Sequence, residues 1–234
     1  MEIIDFFLNI DEFLAIIIDL LGSWTYVFLF VAFFAETGFI VAPFLPGDSL
    51  LFAAGVFAGG GFLNIWIVYF VMLSAAILGD TVNYWIGRYI GPKVFSKENS
   101  RLFNKSYLEK TREFYEKHGG KTIILARFLP IFRTFAPFVA GIGKMHYNTF
   151  LLYNVIGAFF WVTSFTFAGY FFGGLTFVKE NFEYVVLVII IFSLVPTVIE
   201  YIRYKRGPKI SKKQLEHATV QDIEGTFKKE HLND

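Results

Sequence analysis

Four ionisable side chains stand in stretches that are otherwise apolar: Glu36, Asp48, Arg127 and Arg133. Arginine keeps its charge at any working pH and grips phosphate or carboxylate through paired N–H donors. A carboxyl group moved away from water changes its proton affinity with its surroundings. Two arginines with two acids therefore suggest an anion site, for a phosphate, with a proton as the coupled ion. The formal charges of the four sum to zero, so they neutralise one another if the fold brings them together. Each pair sits beside helix breakers. Pro43, Pro46 and Gly47 interrupt "APFLPGD", and Pro130 and Pro137 interrupt "ARFLPIFRTFAPFVAG". Broken helices free backbone groups that are tolerated only inside protein or around a wet cavity, and their N–H groups add to an anion site. Arg127 and Arg133 are thus read as the phosphate ligands, and Glu36 and Asp48 as proton-coupling groups and charge partners. Asp80 and Asn83 are secondary: Asp80 either extends a proton route or pairs with Arg88. The alternative is that the four charges snorkel to a surface and only anchor their segments.

Other chemistry is poorly supplied. There is no cysteine, so thiol catalysis, disulfides and Cys-based metal sites are excluded. The histidines are His118, His146, His217 and His231, and none pairs in sequence with an acid of the apolar runs. HExxH and GxSxG do not occur. No metal, no cofactor, no nucleic acid and no enzymatic activity are expected; the partners are a membrane lipid and protons, with a homodimer left open.

The elements that must position these residues are membrane helices. Residues 49–79, 145–178 and 184–199 contain no Asp, Glu, Lys or Arg, and crossing a bilayer takes roughly 20 apolar residues. Crossings are expected at 62–87 and 148–173. Residues 1–87 contain no Lys or Arg, whereas 88–121 contain nine and 203–234 contain eight. Basic segments stay inside, so the N-terminus is expected outside and the C-terminus in the cytoplasm. The acids of "MEIIDFFLNIDEF" replace the bases of a signal peptide, so no cleavage is expected. Residues 3–21 and 92–118 read as amphipathic surface helices. The limb 49–58 is too short to cross, since ten helical residues span about 15 Å. Residues 24–41 are therefore read as the other limb of a re-entrant hairpin, with a full crossing at 24–42 as the alternative.

"FLPGDSLLFAAG" at Phe44 and "FLPIFRTFAPFVAG" at Phe128 are alike, and GxxxG follows in both halves, at Gly87/Gly91 and Gly169/Gly173. The expected fold is an all-α polytopic membrane protein: an inverted repeat with two opposed re-entrant helical hairpins, crossing helices and amphipathic surface helices. Repeat 1 covers about 1–91, repeat 2 about 97–173, and a final crossing helix about 182–202. A polar cytoplasmic tail occupies 207–234. Trp66, Trp85 and Trp161 are read as packing or interface residues, and Lys144 and His146 as markers of the membrane surface.

Long strings in this chain resemble the DedA family of bacterial membrane proteins, related to the eukaryotic VTT-domain proteins. They are "ETGFIVAPFLPGDSLLFAAG", "GDTVNYWIGRYIG", "FYEKHGGKTIILARFLPIFRTFAPFVAGIGKM" and "YNVIGAFFWV" with "AGYFFG". The resemblance covers about 1–206. It implies that Glu36, Asp48, Arg127 and Arg133 are functional, that the protein resides in the bacterial cytoplasmic membrane, and that it moves lipid. Undecaprenyl phosphate driven by the proton-motive force is the first substrate implied. Phosphatidylethanolamine, or a small ion exchanged for protons, is the alternative.

Overall fold

The computed structural model describes residues 16, 18–38, 47–95, 111, 115, 118–173 and 175. Six α-helices have both ends within these residues: α1 (Thr25–Gly38), α2 (Gly47–Gly59), α3 (Ile65–Phe95), α4 (Thr122–Ala126), α5 (Pro130–Ile142) and α6 (Tyr147–Phe172). Short 3-10 turns precede α1 (Gly22–Trp24) and α4 (Gly119–Lys121). Pro43, Pro46, most of both expected surface helices, the final crossing at 182–202 and the tail lie outside the described residues.

Among the described residues, three segments are long and apolar enough to cross a membrane: Ile18–Gly38, Ile65–Ile90 and Tyr147–Phe172. The last two match the expected crossings. The first differs from the expected limb, which starts at Trp24: it begins at Ile18 and has 21 residues, including the 3-10 turn. Length and composition alone therefore permit either a crossing or a deep limb at this position.

Helices α3 and α6 run antiparallel. Trp66 at the start of α3 meets Phe167 late in α6, with ring centroids 6.0 Å apart, and Trp85 late in α3 meets Tyr147 at the start of α6, 5.6 Å apart. The other four helices pack around this pair in a reciprocal pattern. Helix α1 lies on α3 and α4 on α6, whereas α2 lies on α6 and α5 on α3. Helix α1 begins level with the start of α3, where the Asn64 N–H donates to the Tyr26 hydroxyl at 2.8 Å, and ends level with its middle, where Gly38 touches Gly79. Helix α2 starts beside Glu36 and finishes with Gly59 against Tyr170. Helix α5 begins near Asn83 and runs toward Arg88.

Glycine makes the two interhelical seams possible. At α2–α6, Gly55 lies against the Thr166 carbonyl and Gly169 against that of Phe52; at α3–α5, Gly141 lies against the Tyr84 carbonyl and Gly87 against that of Phe138. A Cβ at any of these four would collide with backbone, which cannot yield. Such close approach lets packing and short-range contacts replace the hydrophobic drive that lipid does not supply. The two seams are built alike: Phe52 and Phe138 offer the carbonyls that Gly169 and Gly87 meet, and Gly55 and Gly141 meet those of Thr166 and Tyr84.

Pro137 is a correction. The sequence reading puts a helix break there, yet α5 runs through it. Pro130 instead starts α5, after Leu129 in extended conformation (φ −118, ψ 102), as the residue before proline prefers. The interruption falls at Arg127–Leu129, between α4 and α5. A proline within a helix leaves a carbonyl without its N–H partner, and neighbours donate into this stretch. Asn83 Nδ2 donates to the Thr134 carbonyl at 2.8 Å, and the Tyr115 hydroxyl donates to that of Ala136 at 2.9 Å. Burial pushes the Tyr115 phenol well above its usual range, so it stays a donor.

The buried apolar side chains form two clusters. One contains Leu29, Phe33, Leu51, Met72, Ala76, Ala158 and Trp161; the other contains Tyr84, Ile123, Phe138, Met145 and Phe150. Along α3 and α6 the switch from one to the other falls at Asp80–Asn83 and at Asn154. The polar residues thus form a layer between two apolar cores.

Candidate functional site

The layer is assembled from helix ends. Glu36 occupies the last turn of α1, Asp48 the first turn of α2, and Arg133 the first turn of α5. Arg133 donates through Nη2 to Glu36 Oε1, and through Nη1 to Asp48 Oδ1 at 3.3 Å. Glu36 Oε1 also accepts the Gly47 backbone N–H at 3.0 Å. The carboxylate of α1 therefore caps the start of α2, where the free N–H groups and positive helix end favour negative charge. Gly47 leaves room for this contact: a Cβ there would strike the Glu36 carboxylate and force it to shift.

Arg127 caps the C-terminal end of α4 and reaches across α6 at Gly157, where a Cβ would meet its Cδ at 3.0 Å. Its Nη2 donates to Asp80 Oδ2 at 2.6 Å and to Asn154 Oδ1. Asn154 is itself oriented by donating Nδ2 to the Ile77 carbonyl at 3.1 Å. The Asp80 position depends on α1 packing closely on α3. Gly79, the residue before it, has no room for a Cβ beside the Thr37 hydroxyl.

Trp161 joins the two halves of the layer. Its Nε1 donates to Asp48 Oδ1 at 2.9 Å. The guanidinium carbons of Arg133 and Arg127 lie 5.2 and 5.6 Å from its ring centroid, and Phe33 stacks on it at 5.4 Å. Cation–π contacts strengthen when water is excluded, and exclusion here is nearly complete: Glu36 is 1 %, Arg127 4 % and Arg133 9 % exposed. Buried charges survive only when paired and hydrogen-bonded, and both guanidinium groups meet that condition. Three polar atoms of the layer are buried without a hydrogen-bond partner: Glu36 Oε2, Arg127 Nε and Asn83 Oδ1.

The four residues singled out by sequence meet in this layer, but not as one four-membered cluster. Arg133 takes both Glu36 and Asp48, and Arg127 takes Asp80. Pairing of Asp80 with Arg88 does not occur: Arg88 donates to the Tyr84 hydroxyl at 2.8 Å and lies over Trp85. Asp80 thereby enters the site, and the formal charge of the five groups is −1 when all are ionised. Lys144 and His146 are exposed at the turn into α6. Trp66 is largely exposed on α3, whereas Trp161 is buried in the layer. Asn154 and Trp161 are site residues that the sequence reading misses. Asn154 is one of few amides in an uncharged run, a signal open to sequence reading; nothing in the sequence distinguishes Trp161 from the other tryptophans.

The VTT domain family matches residues 45–171. Protein DedA of Escherichia coli (strain K12) is 57% identical over 207 residues, 88% of this chain and 94% of that protein. An uncharacterised membrane protein of Mycobacterium tuberculosis (strain H37Rv) is 41% identical over 188 residues, 80% of this chain and 82% of that one. Inner membrane protein YghB of E. coli K12 is 30% identical over 172 residues, 74% of this chain and 78% of that one. No solved structure matches.

Proposed function

This chain belongs to the DedA family of VTT-domain membrane proteins, and from that premise we propose that it translocates a lipid phosphate across the bacterial cytoplasmic membrane. Undecaprenyl phosphate is the first substrate to test, and protons are the coupled ion. The observation that carries the reading is the pair of guanidinium groups buried around Trp161 midway along the crossing helices. An arginine near the bilayer centre costs about 2.5–3.5 kcal/mol on insertion scales. A structural role alone is better served by apolar packing, since buried ion pairs contribute little net stability. A phosphate monoester is the ligand for which planar, permanently charged donors are suited.

The charge count supports proton coupling. Three carboxylates face two guanidinium groups, so the layer becomes neutral when one carboxyl takes up a proton. Glu36 Oε2 and Arg127 Nε, buried without partners, are an acceptor and a donor that a headgroup can engage. Two re-entrant hairpins, α1–α2 and α4–α5, entering from opposite faces, give the access route. Their support is the reciprocal packing on α3 and α6 and the placement of Glu36, Asp48 and Arg133 at helix ends level with Asp80. The bases of 88–121 and 203–234 put those segments inside under the positive-inside rule, with the N-terminus out.

Liposomes holding the full chain, with labelled undecaprenyl phosphate or labelled phosphatidylethanolamine, test the proposal. Undecaprenyl phosphate should cross faster than in protein-free liposomes, and Arg127→Ala and Glu36→Gln should abolish the gain. Equal rates in wild type and Arg127→Ala would sink it. Phosphatidylethanolamine is the second reading, because its ammonium would pair with the third carboxylate. A proton flux that needs no lipid substrate would instead favour a small-ion antiporter.

A further inference from the structure

Trp161 makes two kinds of contact in the layer. Its ring lies near both guanidinium groups, and its indole N–H is spent on Asp48 Oδ1, the oxygen that also accepts from Arg133 Nη1. We propose that Trp161 is a positioning residue that latches Asp48 onto Arg133 and so keeps an internal anion in the place an incoming phosphate must take. This rests on the phosphate reading above for its functional consequence, although the latch itself is a statement about Asp48.

Asp48 and a phosphate are competitors for one guanidinium. A carboxylate held by the fully buried indole N–H as well as by Arg133 yields to a ligand less readily than the same carboxylate without the indole. The N–H comes from α6, whereas Asp48 belongs to α2 and Arg133 to α5. The contact therefore ties three helices across the seam where Gly55 and Gly169 let α2 and α6 touch. Removing the N–H while keeping an aromatic ring should free Asp48 without removing the π-face beneath the arginines. A residue with only a packing role would lose binding on truncation; a latch predicts a gain.

The experiment uses the full chain in detergent, with farnesyl monophosphate and inorganic phosphate as calorimetric probes. Trp161→Phe and Asp48→Asn should each bind the phosphate about tenfold more tightly than wild type, the scale expected for a hydrogen bond to a charged group. The double variant should bind no more tightly than Asp48→Asn alone, because once the carboxylate charge is gone the indole N–H holds no anion that competes for Arg133. The source of the phosphate is read from the two probes: gain for both marks a headgroup site, gain for the farnesyl ester alone a site that also needs the chain. In indole-15N-labelled protein, the Trp161 signal, identified by its loss in Trp161→Phe, should move in Asp48→Asn. Wild-type affinity in a Trp161→Phe protein that melts normally, additive effects in the double variant, or an unmoved Trp161 signal overturns the latch. If no form binds either probe, the phosphate reading fails, and the indole signal alone then decides the latch: movement upholds it, no movement overturns it.

Discussion

Arg133 holds two carboxylates and Arg127 holds one, an asymmetry with measurable consequences. Arg133→Ala leaves Glu36 and Asp48 buried without their cation, and breaking a buried pair costs about 3–5 kcal/mol. Its melting temperature in detergent should fall further than that of Arg127→Ala, where one carboxylate, Asp80, and the neutral Asn154 lose their donor. Equal losses would show that Asp48 is held by Trp161 rather than by the arginine. Asp80 allows a cleaner separation of charge from structure. Asp80→Asn keeps an oxygen for Arg127 and removes the excess negative charge, so the fold should melt within a few degrees of wild type while proton-driven transport falls. Arg88→Ala, by contrast, removes one hydrogen bond to Tyr84 and a stacking contact on Trp85, a loss of about 1 kcal/mol, and should leave transport intact.

At the scale of elements, the helix seams and the proline in α5 carry separate predictions. Gly55→Val or Gly141→Val places a side chain against a backbone carbonyl of the facing helix. Overpacking of this kind costs about 1–3 kcal/mol, and here it also displaces the helix that bears Asp48 or Arg133. Both variants should melt lower and lose transport, whereas substitution at exposed Phe159 should do neither. Pro137→Ala restores an N–H to the turn that follows Arg133. Its stability should hold or rise, because the turn gains the backbone hydrogen bond that proline denies it; a lower melting temperature in detergent would overturn this reading.

The whole molecule places a polar layer between two apolar cores and leaves Val31, Trp66, Phe70, Leu152, Phe159 and Phe160 exposed, the faces that lipid covers in the multi-pass arrangement. Because α3 and α6 are antiparallel, Phe62 and Leu175 lie toward one end of the bundle and His146 toward the other. The chain has no cysteine, so single cysteines report without background. Phe62→Cys and Leu175→Cys should react with an impermeant maleimide in intact cells, and His146→Cys only after the membrane is opened. Labelling of all three from one side would rule out the proposed topology.

Composition was enough to determine the class of the protein, because runs without charge as long as 145–178 are stable only as lipid-facing helices. The cost of burying charge likewise singled out Glu36, Asp48, Arg127 and Arg133 before any fold was known. Proline was a poorer guide. Pro130 marks a helix start, but Pro137 lies within a helix, in a stretch where Asn83 and Tyr115 donate to the nearby Thr134 and Ala136 carbonyls. The tertiary structure alone decided who pairs with whom. Asp80 lies 47 positions from Arg127, and Trp161 lies 113 from Asp48. Such contacts follow from where helices cross, and the crossings are set by close-packed glycines; GxxxG marks Gly87 and Gly169 in the sequence but not the carbonyls of distant segments that they meet.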